Sequence, residues 1–303
     1  MKNLTQISQL NRFQIESLIE LALKIKKEPE KYSNKLQRKI IALLFFEAST
    51  RTRLSFEAAV NRLGGKTIGF SQPGSSSYGK KGESLTDTIR VVNQYSDLIV
   101  MRHPKSGAAK LAKKVSKVPI INGGDGANEH PTQTLLDLMT IYQIRKKIDN
   151  LKIAMVGDLK FGRTVRSLSK ALTNFQNVEI TYVSCKDLAM KDDIKEAVKK
   201  AGLKFKQTQD LKQAFQKADI VYMTRIQSDR FKDKKKARKY QGQFVVDNLL
   251  LKNAKKDLKI LHPLPRNDEI AQEVDDTAYA FYFEQAGNGM YMRMALLLKI
   301  FDL

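Results

Sequence analysis

Ile40-Ile41-Ala42-Leu43-Leu44-Phe45-Phe46-Glu47-Ala48-Ser49-Thr50-Arg51-Thr52-Arg53 joins an unbroken apolar run to a short polar segment. Seven apolar residues without alternation describe a strand covered on both faces, as in a parallel sheet. The run is far short of the ~18–20 residues that cross a bilayer. Phe56, Ala59, Val60 and Leu63 then recur at helical spacing, which predicts a helix over Leu54 to Leu63, ended by Gly64-Gly65. Strand, loop and helix in succession are the repeating unit of α/β folds.

The same alternation extends in both directions. Upstream, Asn11 to Ile25 carries Ile15, Leu18, Ile19 and Ala22 on one helical face. Downstream, Asp97 to Met101 and Val118 to Ile121 read as short strands and Thr134 to Ile144 as a helix. A second series begins near Leu151. Lys152 to Val156, Val178 to Ser184, Ile220 to Met223 and Lys259 to Leu261 are its strands. Thr164 to Leu172, Asp192 to Lys200 and Leu211 to Lys217 are its helices, and Met290, Met294, Leu297 and Phe301 mark a terminal helix. The expected fold is α/β, with two domains, each a parallel sheet flanked by helices, joined by interdomain helices. Residues 1–133 with 286–303 form one expected domain, 150–285 the other, and 134–149 the helix between them.

Composition agrees. A chain of 303 residues is long enough for two domains at ~100–200 residues each, and 42% hydrophobic with 28% charged residues is ordinary globular usage. The start, Met1-Lys2-Asn3-Leu4-Thr5-Gln6, lacks an apolar signal core, so a cytoplasmic location is expected, with no membrane partner. The single cysteine, Cys185, forms no intrachain disulfide and excludes a cysteine-based metal cage, and with three histidines no metal site is expected. Lys and Arg number 54 against 32 Asp and Glu, a net charge of +22. Such a field attracts anions. The lysines are dispersed, however, and their densest run is Lys232 to Lys239, which reads as a solvated basic surface rather than a nucleic-acid site.

In open α/β sheets ligands bind beyond the carboxyl ends of the strands. Ser49, Thr50, Arg51 and Thr52 occupy that position before a helix, where free N–H groups and the helix dipole favour an anion. Arg51 adds a bidentate partner for a phosphate. Plain N-capping by Ser49 would need one hydroxyl, not three with alternating arginines. Arg102 follows another strand, and His130-Pro131-Thr132-Gln133 precedes a helix. Ser75 to Glu83 is a Gly/Ser-rich loop with Lys80 and Lys81. Gly157 to Thr164 nearly fits a P-loop, with Arg163 where the phosphate-binding lysine belongs, which argues against a nucleotide site. Thr224-Arg225-Ile226-Gln227 and His262-Pro263-Leu264-Pro265-Arg266 also follow strands.

These motifs together resemble the aspartate/ornithine carbamoyltransferase family, nearly end to end. The resemblance implies transfer of a carbamoyl group from carbamoyl phosphate to the amine of L-aspartate, giving N-carbamoyl-L-aspartate and phosphate, without a cofactor, in pyrimidine biosynthesis. It makes residues 1–133 with 286–303 the carbamoyl-phosphate domain and 150–285 the aspartate domain. It assigns Ser49, Thr50, Arg51, Thr52, Arg102, His130, Gln133 and Leu264 to carbamoyl phosphate, and Lys81, Arg163, Arg225, Gln227 and Leu264 to aspartate. Thr52, Arg102, His130 and Lys81 would be catalytic. Ser77 and Lys81 would enter the site of a neighbouring subunit, so a homotrimer with shared sites is implied. Glu47 and Arg230 would pair on domain closure. Similar chains assemble with zinc-bearing regulatory chains in a dodecamer. Ornithine carbamoyltransferase is the alternative, but a cationic substrate would be repelled by Arg163 and Arg225, and Thr132 stands where that branch has cysteine.

Overall fold

The computed structural model describes residues 1–71, 74, 76–227, 239–240 and 242–303. The chain divides into two compact units, Met1–Met139 with Gly287–Leu303, and Thr140–Ala286. It passes from one to the other within helix α6 (Pro131–Arg145) and again within the C-terminal helix Tyr282–Phe301.

The first unit is built on a four-stranded parallel sheet of β1 (Ile40–Phe45), β2 (Lys66–Phe70), β3 (Leu98–His103) and β4 (Ile120–Asp125), in the order β2-β1-β3-β4. The apolar run that predicts β1 is buried from Ile41 onward. One sheet face packs Ala42, Leu44, Ile99, Met101 and Ile120 against Ile89 of α4 (Leu85–Val92) and Ala108, Ala109 and Ala112 of α5 (Ala108–Val115). Leu4 bridges onto β4, donating to Ile120 O (2.9 Å) and accepting from Asn122 N (2.8 Å), so the amino terminus covers that edge.

The second unit holds five parallel strands, β5 (Lys152–Val156), β6 (Glu179–Val183), β7 (Lys204–Thr208), β8 (Ile220–Met223) and β9 (Lys259–Leu261), in the order β7-β6-β5-β8-β9. Helices α7 (Arg163–Leu172), α8 (Asp192–Lys200) and α9 (Leu211–Lys217) connect them. Ala154, Val156, Val183, Val221, Met223 and Ile260 supply the sheet's share of a core completed by Leu188, Phe215, Phe244 and Tyr282. No helix among the described residues is long and apolar enough to cross a membrane.

The structure differs from the sequence reading in three places that matter for function. The helix after β1, α2 (Thr50–Arg62), begins four residues before the expected Leu54, so Thr50, Arg51, Thr52 and Arg53 form its first turn. Strand β4 runs on past the expected end at Ile121 to Asp125, all buried, with Asn122 opposite Met101 and Asp125 opposite His103 across a bulge. Ser77–Lys81, expected to be loop, is a short helix, α3, closed by Gly82 in the left-handed conformation.

Candidate active site

In each sheet the strand order reverses once, between β1 and β3 and between β5 and β8. Loops leaving the carboxyl ends of such a pair diverge and open a crevice. The motifs singled out in the sequence lie at or beyond the carboxyl ends of strands: the central β1, β3, β5 and β8, and the outer β2, β4 and β9.

In the first unit, Ser49 is the residue before α2 but its side chain makes no capping bond, so the first-turn N–H groups are left to other acceptors. Thr52, in that turn, is buried, and its hydroxyl lies 3.5 Å from His130 Nε2. His130 Nδ1 accepts the Gln133 N–H (3.3 Å), which fixes the ring proton on Nε2. The imidazole therefore presents a donor beside the Thr52 hydroxyl. Arg102, at the end of β3, is nearly covered; its Nη2 lies 2.9 Å from Glu47 Oε2 and its Nη1 donates to Gly123 O (3.3 Å). Thr52, Arg102 and His130 thus form a cluster of donors next to an open helix start, the arrangement that binds an oxyanion or phosphate.

Residues that the sequence reading passed over hold this cluster. Asn122 donates to Thr5 O and Asp125 Oδ1, both at 2.9 Å, and accepts from Gly124 N (2.8 Å). Asp125 takes the N–H groups of Gly107 (2.7 Å) and Glu129 (3.2 Å), and Glu129 takes that of Ile7 (3.1 Å). All three side chains are buried. The signal was available: three polar residues in a segment that must leave a buried strand and reach His130.

Ser77 and Lys81 are exposed on α3 and make no hydrogen bond to the Thr52–His130 cluster among the described residues. Tyr78 anchors the helix instead. Its hydroxyl lies 3.0 Å from His103 Nε2, and its ring meets Phe46 edge-on at 4.7 Å.

In the second unit, Gly157 follows β5 with φ 108°, and a Cβ there would stand 2.3 Å from Thr224 O. That close approach joins the two central loops. Asp158, fully buried and unremarked in the sequence, accepts from Phe161 N (2.9 Å) and Gln227 N (3.2 Å), while its own N–H donates to Thr224 Oγ1 (3.1 Å). It thereby ties the loop before Arg163, the first residue of α7, to the loop bearing Arg225 and Gln227. Both arginines are half-buried at strand ends, and their planar forks suit carboxylates. Arg230 lies outside the described residues.

Beyond β9, Leu264 has φ 53° and precedes a cis proline peptide bond. Its N–H donates to His262 Nδ1 (2.8 Å), so the ring proton again sits on Nε2, which donates to Glu269 Oε1 (2.8 Å). Burial alone would raise the Glu269 carboxyl, but the bonds from His262 and Asn267 outweigh it and hold it below the usual range. Cys185 lies just past β6; burial pushes its thiol up and its Sγ bonds Gln243, which leaves it a poor nucleophile.

Comparison with known proteins agrees with this geometry. Residues 2–143 match the carbamoyl-P binding domain of aspartate/ornithine carbamoyltransferase, and residues 149–300 match the Asp/Orn binding domain. The aspartate carbamoyltransferase catalytic subunit of Aliivibrio fischeri is 47% identical over 302 residues, covering 99% of this chain and 97% of the relative, and that of Vibrio campbellii matches to the same extent. The crystallised catalytic subunit of M. Jannaschii aspartate transcarbamoylase superposes with a TM-score of 0.92 at 46% identity, over 100% of this chain and 98% of that one. Aspartate transcarbamoylase from Trypanosoma cruzi, in complex with carbamoyl phosphate and aspartate, gives 0.93 at 39% identity, over 99% and 96%. A donor cluster at one strand-order reversal, paired arginines at the other and these matches along nearly the whole length lead to one conclusion: the chain belongs to the aspartate/ornithine carbamoyltransferase family.

Proposed function

We propose that this chain is the catalytic chain of an aspartate carbamoyltransferase, acting in the cytoplasm in pyrimidine biosynthesis. The carrying observation is the pair Arg163, at the start of α7, and Arg225, beyond β8, with the loops beside them tied together by Asp158. Two guanidinium groups suit a dicarboxylate amine and repel the side-chain cation of ornithine.

In this reading Ser49, Thr50 and Arg51 hold the phosphate at the start of α2, and Gln133 and the Leu264 backbone hold the carbamoyl group. Arg163, Arg225 and Gln227 hold the aspartate carboxylates. The aspartate amine attacks the carbonyl carbon, the C–O bond to phosphate breaks, and the departing phosphate takes the amine proton. Negative charge gathers on the carbonyl oxygen as the tetrahedral intermediate forms. Thr52, Arg102 and the Nε2–H of His130 donate to it, and each well-placed donor contributes ~3–4 kcal/mol. Holding both substrates in attack geometry adds up to ~7–11 kcal/mol. A homotrimer completes each site with Ser77 and Lys81 of a neighbouring copy, and a zinc-bearing regulatory chain would extend it to a dodecamer.

The test is a ureido-product assay on the purified chain with carbamoyl phosphate and either aspartate or ornithine. Product with aspartate alone is expected. Product with ornithine alone would refute the roles given to Arg163 and Arg225, and product with neither, from a verified trimer, would refute the acceptor.

A further inference from the structure

Gln133 lies in the first turn of α6, and its Nε2 donates to Asp137 Oδ1 one turn later (2.9 Å). A carboxylate only accepts, so the amide must turn its nitrogen toward Asp137 and its oxygen away. Gln133 Oε1 accepts no hydrogen bond among the described residues. Asp137 is itself fully buried. So is Arg293 of the C-terminal helix, whose guanidinium carbon sits 5.0 Å above the centre of the Phe56 ring of α2. Burial lowers Arg293 to about 10, while the charge of Asp137 acts the other way, so the group is a cation at neutral pH. Gly289, one turn before it, leaves the space it fills: a Cβ there would stand 2.3 Å from Arg293 Nη1. A buried cation and a buried carboxylate in the same unit need a reason beyond stability, since buried charges are weak stabilisers.

We propose that Asp137, with Arg293 as its buried counter-charge, fixes the polarity of the Gln133 amide so that only an acceptor oxygen faces the acyl group. Asp137 is then a positioning residue that selects an acyl phosphate bearing an amino group over one bearing a methyl group. This rests on the reading of Gln133 as a contact of the carbamoyl group. In Asp137→Asn the new side chain can accept or donate, so the Gln133 amide is free to turn and its N–H2 can meet the substrate's N–H2.

The experiment uses the full chain and three probes: the KM of carbamoyl phosphate, and competitive inhibition constants for acetyl phosphate and inorganic phosphate. Wild type should bind carbamoyl phosphate more tightly than acetyl phosphate. In Asp137→Asn the KM should rise about tenfold, the worth of one hydrogen bond, while the constants for acetyl phosphate and phosphate move less than about threefold. Gln133→Met should erase the same preference, and adding Asp137→Asn to it should change the preference no further. Where the single charge change unfolds the chain, Asp137→Asn with Arg293→Met removes both buried charges together and carries the same prediction. Equal weakening of all three probes, or a further shift of preference in the Gln133→Met background, would overturn the proposal. A wild-type chain that binds carbamoyl and acetyl phosphate alike would instead overturn the reading of Gln133, before any variant is made.

Discussion

Glu269→Gln tests how the loop carrying Leu264 is held. One buried carboxylate satisfies two donors, His262 Nε2 at 2.8 Å and Asn267 N at 3.1 Å, and so orients the ring that holds the Leu264 N–H at 2.8 Å. Leu264 needs that hold, because φ 53° is a sparsely populated conformation for a side chain branched at Cγ. Glutamine keeps one acceptor and turns an N–H2 toward the second donor. A charge-assisted bond becomes neutral and one buried donor loses its acceptor, for a combined loss of about 3 kcal/mol near neutral pH. That corresponds to a fall in Tm of about 6–12 °C for a unit of this size. The sign with pH follows from the depressed carboxyl. Its contribution is complete above the ordinary glutamate value of about 4.3 and is lost as pH falls through the lower folded value. Protonated Glu269 then resembles glutamine, and the two proteins converge. Urea unfolding of both, followed by circular dichroism from about pH 7 to about pH 3, reads this directly. A deficit that stays constant across that range, or no deficit at pH 7, would refute the relay.

Two further outcomes are expected. Gly157→Ala should destabilise the second unit by about 3 kcal/mol or more, since φ 108° and a Cβ 2.3 Å from Thr224 O leave no room for a side chain; a thermal melt within a degree of wild type would contradict the close approach. Mixing inactive Arg51→Ala and Lys81→Ala chains should recover activity that neither has alone, because some sites in hybrid oligomers combine two intact contributions; no recovery after exchange verified by native mass spectrometry would exclude shared sites.

Much of the fold was legible where burial leaves a periodic trace. Beyond the opening lysines of β5 and β9, the strands β1, β5, β8 and β9 bury nearly all their side chains and so read as apolar runs. β2 and β7 were missed because they are edge strands, Lys66-Thr67-Ile68-Gly69-Phe70 and Lys204-Phe205-Lys206-Gln207-Thr208, largely exposed and carrying lysines. Lysines on an exposed edge oppose pairing with another chain, and they also dilute the strand pattern. The start of α2 was missed for a related reason: Thr50, Arg51, Thr52 and Arg53 lack the apolar spacing by which a helix is recognised, although their backbone is helical.

The sequence alone determined which residue types stand beyond the strands: hydroxyls and arginine after β1, arginine at the end of β3, histidine after β4, and arginines after β5 and β8. Those are properties of contiguous residues, and the spacing of apolar runs reveals where strands end. Only the tertiary structure decided what holds them. Asp158 joins its own loop to residues 224–227, Glu269 sets the tautomer of His262, and Asp137 holds the Gln133 amide. A buried polar side chain is specified by the partner that satisfies it. That partner comes from a distant segment or is chosen by local backbone geometry, so no periodicity announces it, and strand order and helix packing bring the two together.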